Sequence, residues 1–249
     1  PYIAGIEKMM EVQVPEYVEY IRVIMAELNR IANHQIAVAT FGLDAGAFTP
    51  FLYLFRDREW ILNVFEQSSG GRLLYNYFRV GGLAHDVPPN FKQDCLDICK
   101  QVRKTNAEIY ELLIYNKIFV DRCADVGILP ADVGINCGAS GPVLRGSGEP
   151  YDLRRTKPYS IYVRFDFEVQ VGKGEVGTVG DCWDRNIVRM REMEESCKII
   201  EQAVEQMPDS GDVEESIPKK IRPPKGEIYC AMENPKGELG FYIVSDGKN

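Results

Sequence analysis

Residues 16–41 read EYVEYIRVIMAELNRIANHQIAVATF, and their spacing decides the fold class. Ile21, Ile24, Met25, Leu28, Ile31, Ala32, Val38 and Ala39 recur at three- and four-residue intervals, interrupted by Gln35. That period predicts a long amphipathic helix with one buried stripe. Gly42 follows and is expected to end it. Glu27, His34 and Phe41 fall every seven residues on one line; Arg30, Ala37 and Asp44 form an adjacent line. Polar and charged side chains therefore border the apolar stripe.

The next eight residues, GLDAGAFT (42–49), sit inside a run from Gln35 to Phe55 in which Asp44 alone is charged. An ionised carboxylate in apolar surroundings costs several kcal/mol unless it is paired or neutralised. Asp44 is thus either an Asx-type turn residue within G-L-D-A-G or a residue kept for its chemistry. The run approaches bilayer-spanning length, but Asp44, Gly42, Gly46 and Pro50 interrupt it and no positively charged lead-in precedes it. A transmembrane reading is rejected.

Outward from this segment, Thr49 and Pro50 predict a helix start, and the helix stops near Gly70–Gly71. YNYFRVGG (75–82) predicts a short strand. Further helices are expected over about 89–116 and 181–207. Residues 126–180, rich in glycine and proline, predict packed irregular structure with short helices and strands. Residues 208–226 are expected to form a surface linker. Strands are expected at Glu227–Met232 and Leu239–Ser245, joined as a hairpin at NPKG. The fold class is mainly α with small β pieces. The domain reading is a helical core over 1–207, a linker over 208–226, and a hairpin segment of the same domain over 227–249.

The chain has 249 residues, 45% hydrophobic and 27% charged, with a net charge of −8. The acidic balance argues against a general nucleic-acid binder. Seven cysteines occur without a CxxC spacing, which removes the usual zinc and iron–sulfur patterns. Cys95 and Cys99, at i and i+4, read as small buried thiols, and a reducing compartment fits this usage. Two histidines leave no serine–histidine–carboxylate or cysteine–histidine arrangement. His34 reads as a hydrogen-bonded structural histidine or a proton-transfer group, and His85 as a turn residue. Arg79 reads as a salt-bridge partner or a residue aimed at an anion or cluster. GASGPVLRGSGEPYDLRR (138–155) combines glycines with three arginines. It matches neither phosphate-loop fingerprint, so close packing stands beside anion binding.

Several segments then become familiar together: YIRVIMAELNRIANHQIAVATFGLDAGAFTPFLYLFRDREWILNVFEQSSGGR (20–72), NYFRVGG (76–82), DVP (86–88), GPVLRGSGEPYDLRR with KPY (141–159), GDCWDRNIVRMREMEESCKIIEQ (180–202) and PKGELGFYIVSDG (235–247). In this order, over nearly the whole chain, they resemble the 49-kDa (D-type) subunit family of respiratory complex I, NADH:quinone oxidoreductase. That family is related to nickel–iron hydrogenase large subunits. The resemblance implies a hydrogenase-large-subunit-like helical bundle without its metal. It also implies a wall of the quinone-reduction cavity, beside the terminal iron–sulfur cluster of a partner subunit, coupled to proton translocation. Quinone would be the substrate, with no cofactor on this chain. FMN, the clusters and the NADH site would lie on partner subunits, and the membrane arm would be a further partner. The location implied is peripheral, on the cytoplasmic face of the cell membrane, or on the inner membrane if mitochondrial.

Asp44 matches the aspartate of the family's LD.GA.TPF motif near the quinone headgroup. His34 and Arg79 follow as catalytic and cluster-proximal candidates. Where many relatives carry a histidine two residues before the asparagine of NY.R.GG, this chain has Leu74. The family's headgroup histidine and tyrosine lie upstream of Pro1, so the chain reads as a fragment of a longer protein. The alternatives are the large subunit of an energy-converting nickel–iron hydrogenase, whose cysteine pairs would fall outside these residues, and that of a deazaflavin-dependent quinone or phenazine reductase. GLDAGAFTPF favours the quinone branch.

Overall fold

A computed structural model describes residues 1–217 and 220–248. Two residues of the expected linker, 218 and 219, and the final residue of the expected hairpin segment lie outside the described residues.

The chain opens with α1 (Tyr2–Met9), a short helix that the periodicity of the sequence does not predict, and continues into α2 (Glu16–Asp44), α3 (Phe48–Ser69) and α4 (Phe91–Ile109). A π-helical turn (Tyr110–Ile114) extends α4 before α5 (Lys117–Cys123). Short helices α6 (Ala131–Asn136), α7 (Gly141–Gly146) and α8 (Leu153–Thr156) and a 3-10 turn (Tyr162–Arg164) fill the glycine-rich middle, and α9 (Cys182–Gln206) closes the bundle. No strand occurs among the described residues between 126 and 180. β1 (Phe78–Arg79) and β2 (Gly82–Leu83) form a tight antiparallel pair, shorter than the strand expected over 75–82. β3 (Gly226–Asn234) and β4 (Gly237–Ser245) form the expected hairpin, turning at Pro235–Lys236.

α2 is the axis of the bundle. It packs along α3 on one side and α9 on the other, while α4 closes the layer against α3 and α9. Val18, Ile21, Ile24, Leu28, Ile31, Val38 and Ala39 are completely or almost completely buried along it. They meet Leu54, Ile61, Met190, Met193, Cys197 and Ile200 in one continuous core. Cys95 and Cys99 are buried there as small apolar side chains.

Gly42 does not end α2. The helix runs through it to Asp44, because the missing side chain lets the helix approach Leu113: a Cβ at Gly42 would stand 3.0 Å from Leu113 Cδ2. Gly70 does end α3, in the left-handed region at φ +76, with its N–H bonded to the Glu66 carbonyl. α9 is capped at its start by Asp181, whose carboxylate accepts the Asp184 N–H at 2.8 Å.

Candidate functional site

α2 presents polar chemistry at three places along its length. Near its start, Arg22 makes a two-point pair with Glu7 of α1, at 3.0 and 2.7 Å. The same guanidinium donates to the carbonyls of Arg79 and Gly82, while Glu7 accepts the Gly81 N–H at 2.7 Å. This pair fixes the β1–β2 turn by its backbone. The Arg79 side chain is exposed and donates to Asn76 Oδ1 at 2.9 Å. Leu73 and Leu74 precede it in sequence, 61% and 95% exposed.

In the middle of α2 lies a buried ion cluster. Glu27, Asp152, Glu192 and Glu233 meet Arg30, Arg145 and Arg154, every one of them at most 5% exposed. Glu27 Oε2 accepts from Arg30 at 3.2 Å and from Arg154 at 3.1 Å, and also from the Ser196 hydroxyl. Tyr162 donates to Glu27 Oε1 at 2.6 Å. Burial alone would push the Glu27 carboxyl up. Arg30 and Arg154, with those two hydroxyls, win and hold it at about 2. Arg145 bridges Glu192 at 2.6 Å and Glu233 at 2.8 Å, binding α7 to α9 and to the end of β3. Arg30 adds bonds to the Glu233 and Asn234 carbonyls.

His34 belongs to this cluster. Its ring is fully buried, with Nε2 2.7 Å from Glu192 Oε2. Burial pushes its pKa down to about 4; Glu192 opposes the shift and Arg30 and Arg189 reinforce it. The imidazole is therefore neutral at pH 7, with its Nε2 proton donated to Glu192, and Nδ1 has no partner among the described residues. Of the three arginines in the 138–155 segment, Arg145 and Arg154 are engaged in this cluster, and Arg155 lies 4.0 Å over the Phe167 ring. Close packing, rather than anion binding, describes that loop.

The far end of α2 is different. Asp44 is exposed, at the last residue of a 29-residue helix. Its carboxylate forms no ion pair among the described residues. The helix C-terminus carries partial negative charge, so the position disfavours a carboxylate. Leu43, Phe48 and Leu52, 38%, 58% and 52% exposed, surround it in sequence, and Phe48 stacks on Phe51, which stacks on Phe55. Arg122 of α5 reaches across to this tip and donates to the Ala45 carbonyl at 2.5 Å. Sequence reasoning missed Arg122: nothing in its own segment marks it, and 77 residues separate it from its acceptor.

The structure does not bring the three sequence candidates together. Arg79 lies in the turn held by Arg22, and Asp44 lies 22 residues further along the same helix, about 33 Å at 1.5 Å per residue. His34 lies between, about 15 Å from Asp44 on the same measure. An apolar cavity of about 330 Å³ opens beside Met25, Asn29, Phe65 and Phe78, towards the Arg79 end. No cluster of histidine, cysteine, aspartate and glutamate suited to a metal ion occurs among the described residues. No helix among them is long and apolar enough to cross a membrane.

Residues 44–223 and 214–249 match the family model described as the respiratory-chain NADH dehydrogenase, 49 Kd subunit. The chain belongs to that family. Among its relatives are proteins named as the D subunit of NADH-quinone oxidoreductase. Those of Chlorobaculum tepidum and Chlorobaculum parvum are each 54% identical over 250 aligned residues, and that of Chlorobium luteolum is 53% identical. The alignments cover 100% of this chain and 62%, 62% and 63% of these relatives. The chain therefore spans less than two thirds of the length of the curated relatives it matches. The family match agrees with the resemblance read from the ordered segments, and the mainly helical architecture agrees with the fold class expected.

Proposed function

We propose that this chain works, as a 49-kDa-type subunit of complex I, with other complex I subunits as an NADH:quinone oxidoreductase. It supplies a wall of the quinone cavity next to the partner subunit's terminal iron–sulfur cluster. The single observation that carries the site assignment is Asp44: an exposed carboxylate at a helix C-terminus, unpaired among the described residues and flanked in sequence by the exposed apolar side chains Leu43, Phe48 and Leu52. Exposed apolar side chains of this kind favour a neutral apolar ring, and the carboxylate offers a charge that responds when a neighbouring group gives a proton to the reduced ring.

His34 is a supporting residue in this reading. It is enclosed, neutral and bonded to Glu192, so it holds α2 to α9 instead of meeting substrate. The electron path, from NADH through flavin and clusters to quinone, lies on partner subunits, and the reaction drives proton translocation in the membrane arm. The test is Asp44→Asn in the assembled complex, reading NADH:quinone activity and proton pumping together. A loss of either with normal assembly supports the assignment. Full activity and full pumping would remove Asp44 from the mechanism.

A further inference from the structure

We infer that Arg122 is the positioning residue for the Asp44 tip; this rests on the proposed role of Asp44. Arg122 lies on α5, remote in sequence from α2, and donates from Nη1 to the carbonyl of Ala45, the residue after Asp44. That carbonyl belongs to the end of α2, where the last acceptors have no intrahelical donor and the macrodipole attracts a cation. Arg122 itself is exposed and forms no ion pair among the described residues. Its charge is therefore directed at the tip rather than balanced by a carboxylate.

The bend beneath it is a glycine turn that the guanidinium lies against. Gly46 has φ +90, a conformation that favours glycine, and a Cβ there would stand 2.9 Å from Arg122 Nη1. Ala45 and Ala47 complete the turn through backbone bonds to Phe41 and Gly42. Arg122 adds a long-range hold to this turn, tying the direction in which the chain leaves α2, and with it the position of Asp44, to α5. The remaining N–H groups of Arg122 are not bonded among the described residues.

The experiment compares Arg122→Met, Arg122→Lys, Gly46→Ala and the Arg122→Met/Gly46→Ala double variant in the assembled complex, with Asp44→Asn alongside. Arg122→Met is expected to lower kcat for quinone reduction about tenfold, the scale of a misplaced reacting group. Arg122→Lys keeps a charged donor and is expected to recover most of that loss. Gly46→Ala strains the φ +90 bend directly and serves as a second way of displacing the tip, so it is expected to lower kcat as well, whether or not Arg122 is present. Assembly, measured by subunit content, should be unchanged in all.

Full activity in Arg122→Met would overturn the inference. No rescue by lysine would do the same. If Asp44→Asn is impaired while Arg122→Met is not, only this inference fails. If Asp44→Asn is fully active, the reading of the tip fails first, whatever Arg122 does.

Discussion

The middle and the end of α2 are built from the same residue classes and behave in opposite ways. Around Glu27 and His34 the carboxylates have guanidinium, hydroxyl or imidazole partners, and the group is sealed from water. At Asp44 the carboxylate is open, unpaired among the described residues and placed at the end of the helix that suits it least. Buried charges persist only when paired and hydrogen-bonded, so the middle of the helix is a device for holding α2, α7, α8, α9 and β3 in one arrangement. An exposed, unfavourably placed carboxylate contributes nothing comparable to stability. The contrast gives the one an architectural role and makes the other the place where chemistry is proposed.

The strongest way to break this contrast is Arg145→Met. It leaves Glu192 and Glu233 facing each other without their shared cation, and should destabilise the chain by about 3–5 kcal/mol in urea denaturation. A loss below about 1 kcal/mol would mean that the cluster is not what orders these elements.

Acid should act next. His34 has a folded pKa near 4, below its ordinary value of 6.5. The unfolded chain therefore takes up this proton first, and stability present above pH 6.5 is lost as the pH falls towards 4. The shift corresponds to about 3 kcal/mol. Glu27, held at about 2, extends the loss from about pH 4.5 down to 2 with the same sign. Thermal melts as a function of pH should show both windows, and His34→Gln should flatten the upper one alone. An unchanged slope between pH 6.5 and 4.5 in that variant would contradict the buried neutral imidazole.

At the exposed places the effects should be small. Arg79→Ala should change stability by less than about 0.5 kcal/mol, since Arg22 holds the backbone carbonyl of residue 79 and not its side chain. Asp44→Asn should raise stability by about 0.3–0.5 kcal/mol through relief at the negative end of α2. Equilibrium unfolding of both variants checks this, and a fall of more than about 1 kcal/mol for Asp44→Asn would place that carboxylate in the architecture after all.

The helices read from periodicity are the long ones, where an apolar stripe repeats often enough to outvote single residues. α3, α4 and α9 and the β3–β4 hairpin lie within a few residues of expectation. Gly42 misleads because a glycine inside a helix and a glycine ending one look alike until the neighbour, Leu113, is known. α1 and the short helices between 126 and 180 hold their shape through contacts distant in sequence, as Arg145 does with Glu192 and Glu233. A window along the chain cannot see those contacts.

The same division applies to the site. Sequence alone singled out Asp44, His34 and Arg79, because a lone charge in an apolar run, a histidine on a helix line and an arginine in an aromatic strand are visible as residue types. It also determined the family, through segments whose order is specific. Only the tertiary structure placed Arg79 beside Arg22 near the start of α2, about 33 Å of helix away from Asp44, enclosed His34 with Glu192, and brought Arg122 to the Ala45 carbonyl. The physical reason is that residue type sets what a group can do, whereas burial and partners, which fold from distant segments, set what it is free to do.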